Sequence, residues 1–326
     1  MAEGEALCAS LLFWKPSVIS TNFGAGNNHA MSEAYLYERT SLSTLLYSII
    51  ERNSNSQVQE WLQQQKSKLA ETGAIQRFNL TFTAIPRFTG KHVIELTGND
   101  LIGLAQIPGF FIHGYTLDRL ARIWWLLELP ASNREVYVKT IEGLFDAADV
   151  NEQVTLYGAL VLLAWPEAWK LRTAEGIRSN IGPVQEAIML QNPYPAAQLE
   201  EAAWNQLVMK AIFTDKRVHL ITGLDERANL PLADVLHDYA HERWAAGRTV
   251  NPMLWRLIGP FINEVFFKDI VRVWNSENNA EKEAAALACT AAAYAPAQEL
   301  LSTSPVLKEE IAGGRLTWET VAGHIA

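Results

Sequence analysis

Between Thr116 and Ile177 the chain repeats one device: a capping residue, an apolar stripe at helical spacing, then a stop a few residues before the next cap. Thr116 precedes Leu117, Leu120, Ala121, Trp124 and Leu127, which recur at three- and four-residue intervals and end before Pro130. That period puts them on one face of an α-helix. Ser132-Asn133-Arg134-Glu135 reads as a capping box ahead of Tyr137, Ile141, Leu144 and Phe145. In such a box a side-chain oxygen and a carboxylate satisfy two amides that the first turn leaves without partners. Asp149 and Glu152 repeat the signal before Val154, Leu156, Leu160 and Leu163, and Pro166 opens a further helix with Trp169, Ala174 and Ile177. Connections this short make successive helices antiparallel neighbours. No strand-rich or alternating βα stretch competes, so the expectation is an all-α fold. Its expected form is an irregular α-solenoid of antiparallel helix pairs, HEAT/armadillo-like, without a strict period. The 11 tryptophans suit it, because large aromatics fill the seams between crossing helices.

The flanking segments are read the same way. Leu36, Leu42, Leu45, Leu46, Ile49 and Ile50 form one stripe, and Val58, Trp61, Leu62 and Leu69 a second. Phe78-Asn79-Leu80-Thr81-Phe82 alternates with a period of two, as a strand would, yet its helical surroundings favour a helix. Pro86 to Tyr115 reads as a glycine-rich, irregular crossing with one short helix near 100–106. The alanine-rich run from Glu281 to Tyr294 favours close helix approach and makes Cys289 a small buried hydrophobe. Residues 1–30 are expected to be a disordered N-terminal extension, with Met31 as an alternative start, and 31–326 a single domain. Glu3 and Glu5 stand before the apolar Ala6–Trp14 stretch where an export signal carries positive charge.

Charge narrows the function classes. A net charge of −9 and a pI near 5.4 argue against nucleic acid and against anionic membrane surfaces, both of which want a basic face. No apolar run approaches the roughly 20 residues of a membrane span. Cys8 and Cys289 make neither a disulfide framework nor a metal set, which fits the cytoplasm. There is no GxSxG, no GxGxxG after a strand and no P-loop.

The unusual residues gather between Leu199 and Arg248. A helix apolar on nearly every side, from Ala202 to Phe213, carries Asn205, Gln206 and Lys210. A buried ammonium needs a partner, so Lys210 predicts a nearby carboxylate from Asp225, Asp238 or Glu242, unless it snorkels to water. The loop Gly223–Asn229 follows, with Asn229 placed to cap the next helix and Pro231 in its first turn. Arg227 offers a planar fork for a carboxylate or phosphate, or for Asp225 or Glu226 beside it. In the next helix Leu232, Val235, Leu236, Tyr239 and Ala240 form one face, and Asp234, His237, Asp238 and His241 the other. Two histidines four apart can chelate a metal with Asp238 as an oxygen ligand, but a solvated charged face explains the same spacing. No metal ligand and no cofactor is assigned.

AAWNQLVMKAIF, LDERAN and DYAHERWAAGR, with Pro86–Lys91 and Ala174–Pro195, resemble the EboA family over most of the chain from about residue 34. The resemblance implies a part in metabolite traffic within a bacterial gene cluster, in some bacteria of a sunscreen-pigment precursor. Cluster partners resemble a prenyltransferase and sugar-phosphate or metal-dependent enzymes. The matching positions implied as binding residues are Asn205, Lys210, His219, Asp225, Arg227, Asn229, Asp238, His241, Glu242 and Arg243. Asp234 and His237 fall outside the family pattern, and Thr222 stands where an aromatic is expected. The favoured expectation is a non-catalytic scaffold for a small metabolite, with no catalytic residue assigned. The alternative is a metal-dependent or acid–base hydrolase using His219 or His241 with Asp225, Asp238 or Glu242.

Overall fold

Eighteen α-helices and four short 3-10 turns make up the secondary structure of a computed structural model that describes residues 34–325, except 73, 106 and 108. The expectations for residues 1–30, Met31 and Cys8 lie outside the described residues. The fold is all-α, as the capping and stripe pattern requires. Among the described residues there is no strand, only an isolated antiparallel bridge between Val93 and Thr116. The described residues fall into two compact units.

The first unit comprises the chain to Pro108, Ile112–Leu144 and Leu162–Trp165. It contains α1 (Arg39–Arg52), α2 (Ser56–Thr72), α3 (Ile75–Thr89), α4 (Gly98–Leu104) and α5 (Leu117–Leu127). Helix α5 is the core rod, buried along its length and packed against α1 and α3. The ambiguous 78–82 stretch is helical: Phe78, Thr81, Phe82 and Ile85 are buried in helical register, whereas Leu80 is 64% exposed. The alternation was coincidental, because Leu80 belongs to the solvent face. Helix α3 also runs past Pro86 to Thr89, one turn beyond the expected start of the irregular crossing. Proline has no N–H for the carbonyl four residues back. That carbonyl, of Phe82, accepts instead from Nε of buried Arg122 on α5 at 3.1 Å. The Nε1–H of Trp125 donates to the Phe78 carbonyl one turn earlier at 3.0 Å, so α5 stitches the buried backbone of α3.

The boundary between units falls within α6 (Arg134–Ala147). Its cap is Asn133, whose Oδ1 accepts from the Val136 amide at 3.1 Å, so the expected Ser132 box is displaced by one residue. The second box is as read: Asp149 accepts from the Glu152 amide and Glu152 from the Asp149 amide.

The second unit holds α7 (Val150–Gly158), α8 (Lys170–Ile177), α9 (Gly182–Met189), α10 (Tyr194–Gln198) and α11 (Glu201–Phe213). It continues with α12 (Leu230–Ala245), α13 (Leu254–Ile258), α14 (Glu264–Trp274), α15 (Asn279–Ala291), α16 (Ala295–Ser302), α17 (Pro305–Ala312) and α18 (Trp318–Ile325). Alanine-rich α15 is its hub, touching α13, α14, α16, α17 and α18. Small side chains let so many rods approach one axis. At the closest point, a Cβ on Gly259 would lie 3.0 Å from the Ala288 Cα. Cys289 is fully buried there, and burial raises its thiol to about 12. No helix among the described residues is long and apolar enough to cross a membrane.

Candidate functional site

The loop that joins α11 to α12 is held by its own charged and amide groups. Asn205 of α11 and Asn229 exchange two amide hydrogen bonds, at 3.0 and 2.8 Å. Asn229 Oδ1 also accepts from the Leu232 amide, capping α12, and Pro231 occupies the first turn. Arg227 donates from Nη1 to the carbonyls of Ala196 and Leu199, both at 2.8 Å, and its guanidinium lies over Trp204. Its fork therefore satisfies carbonyls at the end of α10, not the carboxylates beside it in sequence. Asp225 is bound in bidentate fashion by Arg256 at 2.6 and 2.7 Å. Gly223 supports the turn with φ +78° and leaves no room for a Cβ against Ala196.

Lys210 has no carboxylate partner of the kind expected; its ammonium donates to Asn180 Oδ1 at 3.0 Å near the surface. The snorkelling alternative describes it, since the end of α11 is only half-buried there. His219 lies in the 3-10 turn Val218–Leu220. Burial lowers its pKa; Glu319 pulls the other way, and Arg217 and Arg256 add to the lowering. His219, Asp225, Arg256 and Glu319 thus form one constellation.

A second constellation lies on the last turns of α12. The expected division of that helix into faces needs correction: Val235 is half exposed, whereas His237 sits beside the buried Ala233, Leu236 and Ala240. His237 and His241 are one turn apart, and both direct Nε2 at Oδ2 of Asp269 on α14, at 2.9 and 2.8 Å. Asp269 was missed in the sequence. It occupies the inward stripe Phe266–Asp269–Ile270–Val273, and an acid among core positions is a signal that a cationic or N–H partner faces it. Asp238, the oxygen ligand considered from sequence, is exposed and lies 3.6 Å from Nδ1 of His237, on the other ring nitrogen. Around the cluster, Phe266 packs on His237, Trp244 meets His241 edge-on, and the Arg272 guanidinium lies 3.9 Å from the Trp244 ring centre. Glu242 is exposed on the same turns, and Arg243 donates to the Thr249 carbonyl beyond the helix end.

The structure therefore divides the ten predicted residues. Asn205, Asp225, Arg227 and Asn229 hold the loop, Lys210 and His219 meet Asn180 and the Arg256 group, and Asp238, His241, Glu242 and Arg243 share the far end of α12.

A profile described as "Metabolite traffic protein EboA" matches residues 42–259 of the chain. The chain belongs to the EboA family. That match embraces the locked loop and all of α12, so His237 and His241 lie inside the EboA segment while Asp269 lies beyond its end. No curated protein and no solved structure matches the chain. Family membership carries a role in metabolite traffic and leaves the chemistry of the far end of α12 to be read from this EboA protein's own residues.

Proposed function

We propose that the chain is a non-catalytic binding and trafficking scaffold for a small secondary metabolite or its precursor, working with other products of its gene cluster in the cytoplasm. One observation carries this reading beyond the family role. The end of α12 gathers exposed carboxylates with a half-exposed imidazole and guanidinium beside the Arg272–Trp244 stack, both signs of charge next to an aromatic face. Such a surface suits a polar molecule with an unsaturated or ring portion. In this reading Asp238, His241, Glu242 and Arg243 touch the ligand, and Lys210 and His219 extend the binding surface. Asn205, Asp225, Arg227 and Asn229 set the position of α12. The family match runs across both units, which supports treating 31–326 as one EboA-like domain. The groove that a carrier needs would come from an irregular solenoid of antiparallel pairs, an arrangement that has to accommodate the hub around α15.

The test is an untargeted mass-spectrometric screen of small molecules co-purifying with the protein, repeated on Glu242→Gln and Arg243→Ala. Loss of one molecule from both variants at unchanged melting temperature is the expected result. Retention of every molecule at parental levels refutes the placement of the site. A second reading, an acid–base hydrolase, is favoured by the pairing of His241 with Asp269. It predicts that the captured molecule is converted on incubation with the protein and not with His241→Gln, whereas the carrier reading predicts that it is returned unchanged.

A further inference from the structure

The two imidazoles and the carboxylate where α12 meets α14 form a donor set more specific than a charged surface. His237, His241 and Asp269 each offer one ligand atom, and those three atoms lie within 4.8 Å of one another. They come from two helices, and the histidines have the i,i+4 spacing that turns two rings to one point. Both Nε2 atoms are directed at the same oxygen, Oδ2, and in the tautomer with Nε2–H both donate to it. With its proton on Nδ1, each neutral imidazole presents an Nε2 lone pair instead, and a divalent cation can take those two lone pairs together with a carboxylate oxygen.

We propose that His237, His241 and Asp269 bind a divalent first-row transition-metal ion of the zinc class, with at least one coordination position open to solvent. Two imidazoles and one carboxylate are a recurrent three-ligand set for zinc and for non-haem iron. Bonds of about 2.0–2.1 Å place tetrahedral donors roughly 3.3 Å apart. The present Nε2–Oδ2 separations of 2.9 and 2.8 Å therefore need each ring to withdraw by only about half an ångström.

Burial is graded in the order that such a centre requires. The side chain of Asp269 is 9% exposed, that of His237 17% and that of His241 54%, so the open position faces water on the His241 side. Phe266 and Trp244 restrict the two rings, which lowers the ordering cost of binding. Asp238 stands 3.6 Å from Nδ1 of His237, on the ring nitrogen away from Asp269. That separation is longer than a hydrogen bond; a rotation of the exposed carboxylate that closes it would orient the ligating imidazole and strengthen it as a donor. Arg272, one turn along α14, is drawn onto Trp244, which leaves the Asp269 charge to the imidazoles. Asp269 lies beyond the matched segment 42–259, so the full donor set is read from this chain's own residues.

The experiment uses full-length, untagged protein stripped with a chelator and then titrated with Zn2+ against a chromophoric chelator, and with Co2+ by visible absorption. The expected result is one saturable equivalent per chain, with a cobalt spectrum of low coordination number. His241→Gln and Asp269→Asn each weaken Zn2+ affinity by at least about tenfold. His113→Gln, at an exposed histidine outside the binding surface, leaves it unchanged. Should Asp269→Asn fail to fold, His241→Gln still decides, because His241 is the exposed member. No saturable uptake, parental affinity in His241→Gln, or an equal loss in His113→Gln overturns the proposal. The carrier reading is tested separately, because metal uptake is measured on purified protein without any metabolite.

Discussion

Pro86 leaves the Phe82 carbonyl without its helical donor, and the Arg122 guanidinium reaches across from α5 to supply one. Arg122 also lies 3.8 Å from Asp118, one turn back on its own helix, with both side chains buried. Removing the cation orphans a buried carboxylate and a buried carbonyl together. Arg122→Met is therefore expected to destabilise the chain by about 3–5 kcal/mol, as loss of one partner of a buried pair does. Urea unfolding measures it, and a loss below about 1 kcal/mol would mean that water reaches the pair. His219 gives a residue-scale pH dependence. Burial, offset in part by Glu319 and reinforced by Arg217 and Arg256, lowers its folded pKa below the ordinary 6.5. The folded state then binds its proton less readily than the unfolded chain does. Its contribution to stability is complete above 6.5 and is lost as pH falls through the lowered folded value. His219→Asn should flatten the fall in urea midpoint between about pH 7 and about pH 5. An unchanged slope in the variant would assign that fall to other groups.

Elements were legible where their signal was local. Asp149 and Glu152 cap α7 as read because both partners lie within one turn. Ser132 lost its position to Asn133, since two good caps stood side by side and only the three-dimensional start of α6 chooses between them. The 78–82 stretch was ambiguous because five residues support either period, and Ile85 together with exposed Leu80 settles it as a helix. The candidate site was half legible. His237, Asp238 and His241 announce themselves by spacing on α12, but Asp269 lies on another helix and its partnership is tertiary. Arg227 was opaque for the same reason: its fork meets carbonyls 28 and 31 residues away in sequence. Close packing at the α15 hub yields a prediction at this scale. The Gly259 φ of −44° suits any residue, so only the approach to Ala288 excludes a side chain there. Gly259→Ala should cost about 1–3 kcal/mol by forcing the backbones apart, with helix content by circular dichroism unchanged below the transition. A neutral result would show that the hub yields by a few tenths of an ångström.

For the whole molecule, the net charge of −9 sets the background against which an ion binds. A negative protein concentrates divalent cations loosely over its surface, and such an atmosphere is weakened by salt. A metal held by two imidazoles and a nearly buried carboxylate is different, because most of its stabilisation is short-range and survives salt. The two cases separate in global stability. An ion that binds the native state and not the unfolded chain stabilises by mass action, about 2.7 kcal/mol at a hundredfold excess over its dissociation constant. In a chain of this size that is a rise of a few degrees in melting temperature. With Zn2+ the rise should persist at high salt, reverse with a chelator and vanish in His241→Gln. Mg2+, which prefers six oxygen donors, should give none. If Mg2+ matches Zn2+, or if salt abolishes the shift, the cations are responding to overall charge and the imidazoles are not ligands. A fall in melting temperature with Zn2+ would show the reverse preference, with the unfolded chain's 7 histidines holding the metal more tightly than the folded cluster.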